Sequence, residues 1–255
     1  VAMAVHQETY LLALGGDPSL YKTCKAYFIC GTPNDSTAGD KGYLEGNLDA
    51  AIKMLEEEGV VGHKIVLMQP TDIPVLNSAS LVTAQLLRDL GFDVEVQAMD
   101  WSTLTSRRAE KKKVEDGGWN VFHTYATGAD AQSPIANIGV SGGGVERAWF
   151  GWPTDEGVEK LRDDFARETD PAKKQQIIET LQASLFELVP YVNYGQWFQP
   201  MAWRKGLKGV LVSPVPFFWN IELPEYGLAA NRSLLAVVAG RRSRRSKPGT
   251  ARLIC

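Results

Sequence analysis

The residues of this sequence best suited to chemistry are aromatic and carboxylic side chains in irregular stretches of the chain. A small-molecule cleft requires rigid aromatic walls and a few fixed polar groups. Asp130 lies in a turn-forming stretch, where its carboxylate either pairs with a ligand cation or bonds its own backbone. Each tryptophan either lines such a cleft or fills the core. The candidates are Trp101, Tyr125, Asp130, Trp149, Trp152 and Trp197.

Signals for catalysis or metal binding are missing from the sequence. His6, His63 and His123 are far apart and lack metal-ligand spacing. No Gly-x-Ser-x-Gly motif presents a serine nucleophile, and the glycines at 142–144 lack the Lys-Ser/Thr pair of a phosphate-binding loop. We therefore predict a protein that is not an enzyme and has no catalytic residues, metal or cofactor.

Two cysteines, Cys24 and Cys30, are separated by five residues. This spacing fits a small disulfide loop. It does not resemble half of a zinc site, because no second pair or histidine cluster accompanies it. Free buried thiols are the alternative. A disulfide would indicate an oxidising compartment.

Charge is distributed unevenly along the 255 residues, whose net charge is −3. Residues 227–255 contain seven basic and no acidic side chains, which leaves 20 basic against 30 acidic residues in 1–226. The acidic body is a poor nucleic-acid binder, and the basic tail is typical of a disordered or foreign extension. No apolar run approaches the roughly 18 residues of a membrane span, and no signal peptide is visible.

Two strands and the helix between them form the clearest structural pattern. Residues 64–69 and 92–97 have strand character, and 75–90 has the spacing of an amphipathic helix that Gly91 ends. Short connections in this order predict a right-handed parallel βαβ unit. The fold class is therefore α/β.

Further helices and strands are expected on either side of this unit. Asn47 should cap a helix that Gly59 closes, and Pro171 should start another. The five basic residues between 107 and 113 should form a solvated helix face. We also predict helices at 1–14, 101–113, 155–168 and 171–188, strands at 119–125 and 189–197, and irregular chain at 17–40 and 128–153.

Five stretches of the chain carry a pattern of order and spacing that is found in a known family. They are the helix of 1–10, the helix and strand start of 48–62, the segment 84–104, the loop 128–134, and the helical pair and strand of 155–191. Together they resemble the carboxy-terminal half of the peptide/nickel/opine class (family 5) of solute-binding proteins of ABC transporters. The similarity covers residues 1–223, and nothing in the family matches 224–255.

The resemblance implies a two-lobed trap in which a ligand binds between the lobes. Peptide-binding relatives hold the ligand's amino group with an acidic residue that matches Asp130, beside a tryptophan that matches Trp101. The second tryptophan of those relatives is Thr127 here. The expected ligand-binding residues are Trp101, Tyr125, Thr127, Asp130, Trp149 and Trp152.

The expected architecture is one lobe of a class II periplasmic-binding-protein-like fold, a mixed sheet flanked by helices. Residues 1–204 would form the ligand-binding lobe, 205–223 would return to the other lobe, and 224–255 would be a non-family tail. The implied function is periplasmic capture of a peptide-, opine- or amino-acid-like solute for an ABC importer. Its partners would be the permease subunits, with no nucleic acid and only peripheral membrane association. A small hydrolase-like α/β enzyme and a docking or sensor module without transport remain the alternatives.

Overall fold

A computed structural model describes residues 1–213 and 215–223 of the chain. The chain divides into two compact units, Val1–Pro200 and a second unit that begins at Met201. The predicted tail at 224–255 lies outside the described residues.

The first unit contains helices and strands that alternate through its first part and end with four consecutive helices and a last strand. In chain order they are α1 (Gln7–Gly15), β1 (Tyr21–Lys22), α2 (Leu48–Glu57), β2 (Lys64–Pro70), α3 (Pro74–Asp89), β3 (Asp93–Met99), α4 (Trp101–Arg107), β4 (Val121–Phe122), α5 (Gly128–Ala131), α6 (Gly144–Arg147), α7 (Glu156–Arg167), α8 (Pro171–Leu188) and β5 (Gln196–Trp197).

Three strands form a parallel sheet in the order β3-β2-β4. β2 and β3 pair along their whole lengths, from Lys64 opposite Asp93 to Pro70 opposite Met99. Gly91 has a φ of 85°, which suits glycine and lets the chain turn from α3 into β3. The predicted parallel pairing of these two strands is therefore confirmed.

One face of this sheet is covered by α3. Leu67 of β2 and Ala84 and Leu87 of α3 form a buried cluster, against which Val94 and Val121 pack. Burial of each large apolar side chain contributes roughly 1.5–3 kcal/mol. This packing fixes the strand ends from which the candidate residues project.

The helices α7 and α8 build a second core together with the stretch that follows β1. Asp155 and Asp170 cap the two helices by accepting backbone N–H groups of their first turns. The predicted helix at 171–188 is confirmed at both ends, and α7 is one residue shorter at each end than predicted. The core residues are Tyr27, Phe28, Val140, Val158, Ile178, Leu181, Leu185 and Phe186.

Antiparallel pairing occurs apart from the parallel sheet. β1 and β5 form a two-stranded sheet in which Tyr21 lies opposite Trp197. Parallel and antiparallel strand pairs thus coexist with flanking helices, and the predicted α/β class is confirmed.

The predicted helix at 1–14 is wrong in its first half, because α1 begins only at Gln7. The carbonyl groups of Ala2, Met3 and Val5 accept hydrogen bonds from the N–H groups of residues 44, 47 and 46, respectively, and not from a following helical turn. Pairing with a distant segment has therefore replaced helix formation at the start of the chain.

The predicted helix at 101–113 is also too long, because α4 ends at Arg107. Beyond Leu104 the segment offers no large apolar side chain at helical spacing, so continuing the helix would bury little apolar surface. Basic residues would also face one another four positions apart, as Arg107 and Lys111 would, which destabilises a helix.

Two predicted strands shrink to two residues each, and short helical turns interrupt the predicted irregular stretches. At β4 the side chain of Asn120 replaces a backbone carbonyl as hydrogen-bond acceptor, because its oxygen accepts the N–H of Val66 at 2.8 Å. In the other strand, Asn193 donates to backbone carbonyls of the cysteine loop and not to a ladder. Side chains have therefore taken over hydrogen bonds that a longer strand would make.

The second unit contains little regular structure in its described residues. A single bridge pairs Lys208 with Glu222, and the rings of Phe217 and Trp219 stack with their centroids 4.5 Å apart. The proposed return of 205–223 to another lobe stays a prediction, as does the boundary after residue 204.

Within the described residues, no helix combines the length and the apolar character needed to cross a bilayer.

Candidate functional site

The carboxyl edge of the parallel sheet positions Trp101. β3 ends at Met99, and Asp100 caps α4 by accepting the Thr103 N–H at 3.0 Å. Asp72, which follows β2, accepts the backbone N–H of Trp101 at 2.8 Å. Ligands of open α/β sheets bind outside the carboxyl ends of the strands. Trp101 therefore lies at the edge where a ligand is expected.

Trp101 belongs to a group in which four aromatic rings surround the guanidinium group of Arg108. The guanidinium carbon lies 4.5 Å from the ring centroid of Phe150 and 5.1 Å from that of Trp149. It lies 5.6 Å from the centroid of Trp101 and 5.9 Å from that of Phe122. Contacts of this kind contribute about 0.5–2 kcal/mol. We call these five residues, together with the neighbouring Trp119 and Trp152, the arginine–aromatic cluster.

The two further tryptophans of the arginine–aromatic cluster pack next to Phe122 and next to each other. The centroid of the Trp119 ring lies 5.1 Å from that of Phe122 and 6.1 Å from that of Trp152. The Lys111 ammonium lies 5.5 Å from the Trp152 ring centroid and donates to the carbonyl oxygen of Val145 at 3.4 Å. A second cation therefore lies beside the same group of rings.

A tight turn presents the aromatic residues of 149–152. The Trp152 N–H donates to the carbonyl oxygen of Trp149 at 2.9 Å, and Gly151 has a φ of 101° that favours glycine. Trp152 itself has a φ of 52°, which is a strained value for a bulky residue. Strain of about 1–3 kcal/mol is found preferentially at ligand-binding sites.

The arginine–aromatic cluster contains nitrogen atoms without hydrogen-bond partners. Arg108 Nε and Trp119 Nε1 are buried and have no acceptor. Among residues 1–213 and 215–223, no carboxylate forms an ion pair with Arg108. Burial lowers the pKa of the Arg108 guanidinium from its usual value, but an arginine remains charged in a protein.

The other predicted residues follow β4 along the chain. Tyr125 is 50% exposed and meets the Trp197 ring edge-on, with the centroids 5.4 Å apart. Thr127 caps the short helix α5, and its hydroxyl donates to Asp130 Oδ2 at 2.8 Å. The Asp130 side chain is exposed and has no cationic partner among the described residues. Its carboxylate is therefore held in place yet open to solvent.

The six predicted ligand residues fall into two groups in the structure. No contact described above links the two groups, and within the second group Thr127 bonds to Asp130 while Tyr125 packs on Trp197. The ring that was expected to face a ligand cation, that of Trp101, already faces the guanidinium of Arg108. The groups are Trp101, Trp149 and Trp152 in the arginine–aromatic cluster, and Tyr125, Thr127 and Asp130 after β4.

Sequence reasoning missed Arg108 and placed it on a solvated helix face. Arg108 and Trp101 are seven residues apart, which puts them two helical turns apart on one face, with Leu104 between them. Leu104 is fully buried. The spacing of an arginine behind a tryptophan and a buried leucine was therefore the available signal.

Cys24 and Cys30 form a disulfide with their Cα atoms 5.7 Å apart. Of the two alternatives left open by the sequence, the structure therefore contains the disulfide loop and not the free thiols. Gln7 of α1 holds the loop by donating to the carbonyl oxygen of Cys24 at 2.6 Å and accepting its N–H at 2.8 Å. Asn193 donates to the carbonyl oxygens of Cys24 and Ala26 at 3.0 and 2.8 Å. The disulfide loop is therefore tied to two distant parts of the chain.

Replacing Cys24 and Cys30 together with serine is expected to lower the free energy of unfolding by about 2 kcal/mol, because a small loop restricts the unfolded chain only modestly. Denaturant titration with and without reductant measures the effect. Reductant should lower the free energy of unfolding of the unsubstituted protein and leave that of the double variant unchanged. Alkylation of both thiols without prior reduction would contradict the disulfide.

A shallow cavity of about 460 Å³ lies beside the disulfide loop, with His6, Glu8 and Glu45 in its lining. None of the six predicted ligand residues lines it. Within the part of the chain that the structure describes, no group of three or more His, Cys, Asp or Glu side chains is arranged to hold a metal ion.

Comparison with known proteins places these features in context. No family model matches the chain. A curated protein of Sinorhizobium fredii, described as a probable peptide ABC transporter periplasmic-binding protein, is 32% identical over 222 residues. The match covers 86% of this chain and 41% of that protein.

Solved structures show the same fold at low sequence identity. The ABC transporter-associated periplasmic binding protein DppA of Helicobacter pylori, in complex with the peptide STSA, is 14% identical with a TM-score of 0.66. The match covers 88% of this chain and 43% of DppA. The binding protein AgaA of A. tumefaciens R10, in complex with agropinic acid, is 17% identical with a TM-score of 0.59, over 82% of this chain and 42% of AgaA.

The α/β architecture is that of a lobe of the periplasmic binding proteins. The resemblance to the solute-binding proteins of ABC transporters is confirmed by the sequence match to the S. fredii protein. The chain spans about two fifths of the length of the relatives it matches. The relatives named here are binding proteins and not enzymes.

Proposed function

We propose that this chain is a ligand-binding lobe of a solute-binding protein that delivers a peptide-, opine- or amino-acid-like solute to an ABC importer. The observation that carries the proposal is the 32% identity over 222 residues to a protein described as serving peptide transport. The ligands of DppA and AgaA, a peptide and agropinic acid, support this range of solutes. Permease subunits would be partners of the whole protein.

Capture by such a protein depends on closure of two lobes around the solute. A ligand shifts the equilibrium between open and closed states only by its difference in affinity for them. One lobe supplies part of the contacts, so this chain alone should bind a solute weakly. The full affinity belongs to the complete protein.

Asp130 is the residue to which we assign the amino group of the solute. Its carboxylate is exposed, and the hydroxyl of Thr127 fixes its orientation at 2.8 Å. A bond between an ammonium group and such a carboxylate is charge-assisted and about twice as strong as a neutral one. The short helix α5 thus offers an acceptor that is oriented before the ligand arrives.

A periplasmic location is the compartment that fits this proposal. The relative from S. fredii is described as periplasmic. The disulfide between Cys24 and Cys30 supports the same compartment, because disulfides persist where the surroundings are oxidising.

An enzymatic function has less support from the described residues. A hydrolase needs a nucleophile bonded to a general base that a third group orients. The buried His123 bonds to the phenol of Tyr194, and His6 meets the hydroxyl of Thr9 at 3.3 Å on the surface. Neither arrangement includes a carboxylate that orients the histidine. A binding role is therefore favoured over hydrolysis.

Replacing Asp130 with asparagine in the complete protein is expected to weaken binding of a free-amino peptide by about tenfold or more. Asparagine removes the charge but can still accept the hydrogen bond of Thr127. Calorimetry with a tripeptide and its N-acetylated form measures the effect. The matched control is Glu58→Gln, an exposed acid at the end of α2. Equal affinity of the Asp130 variant and the unsubstituted protein would rule out the assignment.

A further inference from the structure

The arginine–aromatic cluster carries a positive charge that the described part of the chain does not balance. Arg108 and Lys111 both face its rings, at 4.5 Å from Phe150 and 5.5 Å from Trp152. Glu110, the acidic residue between them in sequence, pairs with Lys112 at 3.3 Å. Electrostatics at this surface therefore favour a negatively charged group.

Hydrogen-bonding needs in the cluster point to the same kind of group. Arg108 Nε and Trp119 Nε1 are buried donors without an acceptor, which is a costly state. Aromatic faces stabilise the guanidinium charge but accept no conventional hydrogen bond from it. The side chains of Arg108 and Trp119 both lie against the ring of Phe122. The guanidinium carbon is 5.9 Å and the indole centroid 5.1 Å from the centroid of that ring. Both unpartnered donors therefore belong to side chains that pack on one ring, and each lacks an acceptor.

We propose that the arginine–aromatic cluster binds the carboxylate of an organic acid, with the flat apolar part of the acid against the tryptophan rings. A carboxylate has two acceptor oxygens that match the fork of a guanidinium. Trp101, Trp149 and Trp152 supply the apolar walls. The assignment of an organic acid as the solute rests on the proposed function. The presence of a carboxylate site at the cluster can be tested independently of that function.

Access to the cluster follows from the exposure of the arginine and from the neighbouring turn. The residue is half-buried, and its terminal nitrogens are not among the buried unpartnered atoms. The 149–152 turn, with Gly151 at φ 101° and Trp152 at φ 52°, carries three of the flanking rings. An acid can therefore reach the terminal nitrogens of Arg108 from solvent.

Nuclear magnetic resonance of the ¹⁵N-labelled chain tests the site, because the N–H signals of arginine Nε and tryptophan Nε1 are observed directly. Benzoate is the probe, and benzamide is its neutral counterpart of the same shape. Benzoate should shift the signals of Arg108 Nε and Trp119 Nε1, with an affinity at least about tenfold above that of benzamide. Equal shifts with both compounds, or no shift with benzoate, would overturn the proposal.

Two variants extend the test to the arginine itself. Arg108→Met should abolish the benzoate response at Trp119, while Arg88→Met, an exposed arginine on α3, should preserve it. Unchanged benzoate binding in a folded Arg108→Met variant would also overturn the site. Benzoate binding without any peptide binding would sustain the carboxylate site and reject the peptide part of the proposed function. Peptide binding without a benzoate response at Arg108 would reject the carboxylate site and sustain the peptide part of the proposed function.

Discussion

Replacing Gly39 with alanine is expected to lower the free energy of unfolding by about 3 kcal/mol. A Cβ atom on Gly39 would lie 2.6 Å from the Cα of Ala183 and 2.7 Å from its Cβ, which is closer than real contacts allow. Gly39 also has a φ of 79°, at which a side chain costs about 1–2 kcal/mol. The added methyl group costs roughly 1–3 kcal/mol more, because it must displace a core helix.

Neither side of this contact can move away easily. Ala183 belongs to α8, whose residues Leu181 and Leu185 are fully buried. On the other side, Asp40 pairs with Lys25 at 2.8 Å. The Oδ1 atom of Asp40 also accepts two backbone N–H groups of the following turn. The close approach therefore joins the segment after the disulfide loop firmly to α8.

Gly62→Ala is the matched control for this substitution. Gly62 has a φ of 83°, and a Cβ atom there would meet nothing within 4 Å. The Gly62→Ala variant should lose only the backbone contribution to the free energy of unfolding, about 1–2 kcal/mol. Denaturant unfolding at unchanged m-value measures both losses. Equal losses in the two variants would show that the contact with Ala183 contributes nothing.

Local rules predicted the parts of the fold in which sequence neighbours determine the structure. Asn47 caps α2, Pro171 begins α8, and Gly91 allows the turn after α3, because each effect acts within one helical turn. The long strands β2 and β3 were also predicted, since β2 is an apolar run and β3 alternates apolar and polar residues. These elements need no knowledge of distant contacts.

Distant contacts account for the parts that sequence patterns could not predict. The first residues pair with 44–47, and Asn120 and Asn193 use side chains where strands were expected. Each replacement depends on a partner remote in sequence. The same reason explains the site. The tryptophans were predicted but their neighbour Arg108 was not, because the four rings around it come from three separate segments.

Acidification below about pH 6.5 is expected to destabilise the folded chain through His123. This side chain is 2% exposed, and its Nδ1 lies 2.7 Å from the phenol oxygen of Tyr194. Its Nε2 is buried and has no partner among the described residues. Tyr194 is itself stacked on Tyr10, with the ring centroids 4.1 Å apart. The surroundings of the imidazole are therefore neutral, and burial lowers the pKa of His123 to about 4.

The sign of the effect follows from proton binding in the two states. An unfolded histidine has a pKa of about 6.5, so between about pH 6.5 and 4 the unfolded chain binds a proton that the folded chain excludes. The contribution of His123 to stability is complete above this window and is lost as the pH falls through it. The loss approaches about 3 kcal/mol at the acid end, because each unit of pKa difference corresponds to about 1.4 kcal/mol.

Denaturant unfolding of His123→Gln across the same pH range measures this contribution. Glutamine does not titrate and retains an amide that can bond to Tyr194. We expect the variant to have a lower free energy of unfolding than the unsubstituted protein at neutral pH. On acidification it should lose less of that free energy than the unsubstituted protein does. The control is His63→Gln, which removes an exposed imidazole and leaves the surroundings of His123 intact. Parallel profiles for His123→Gln and the unsubstituted protein would mean that carboxylates alone cause the loss of stability in acid.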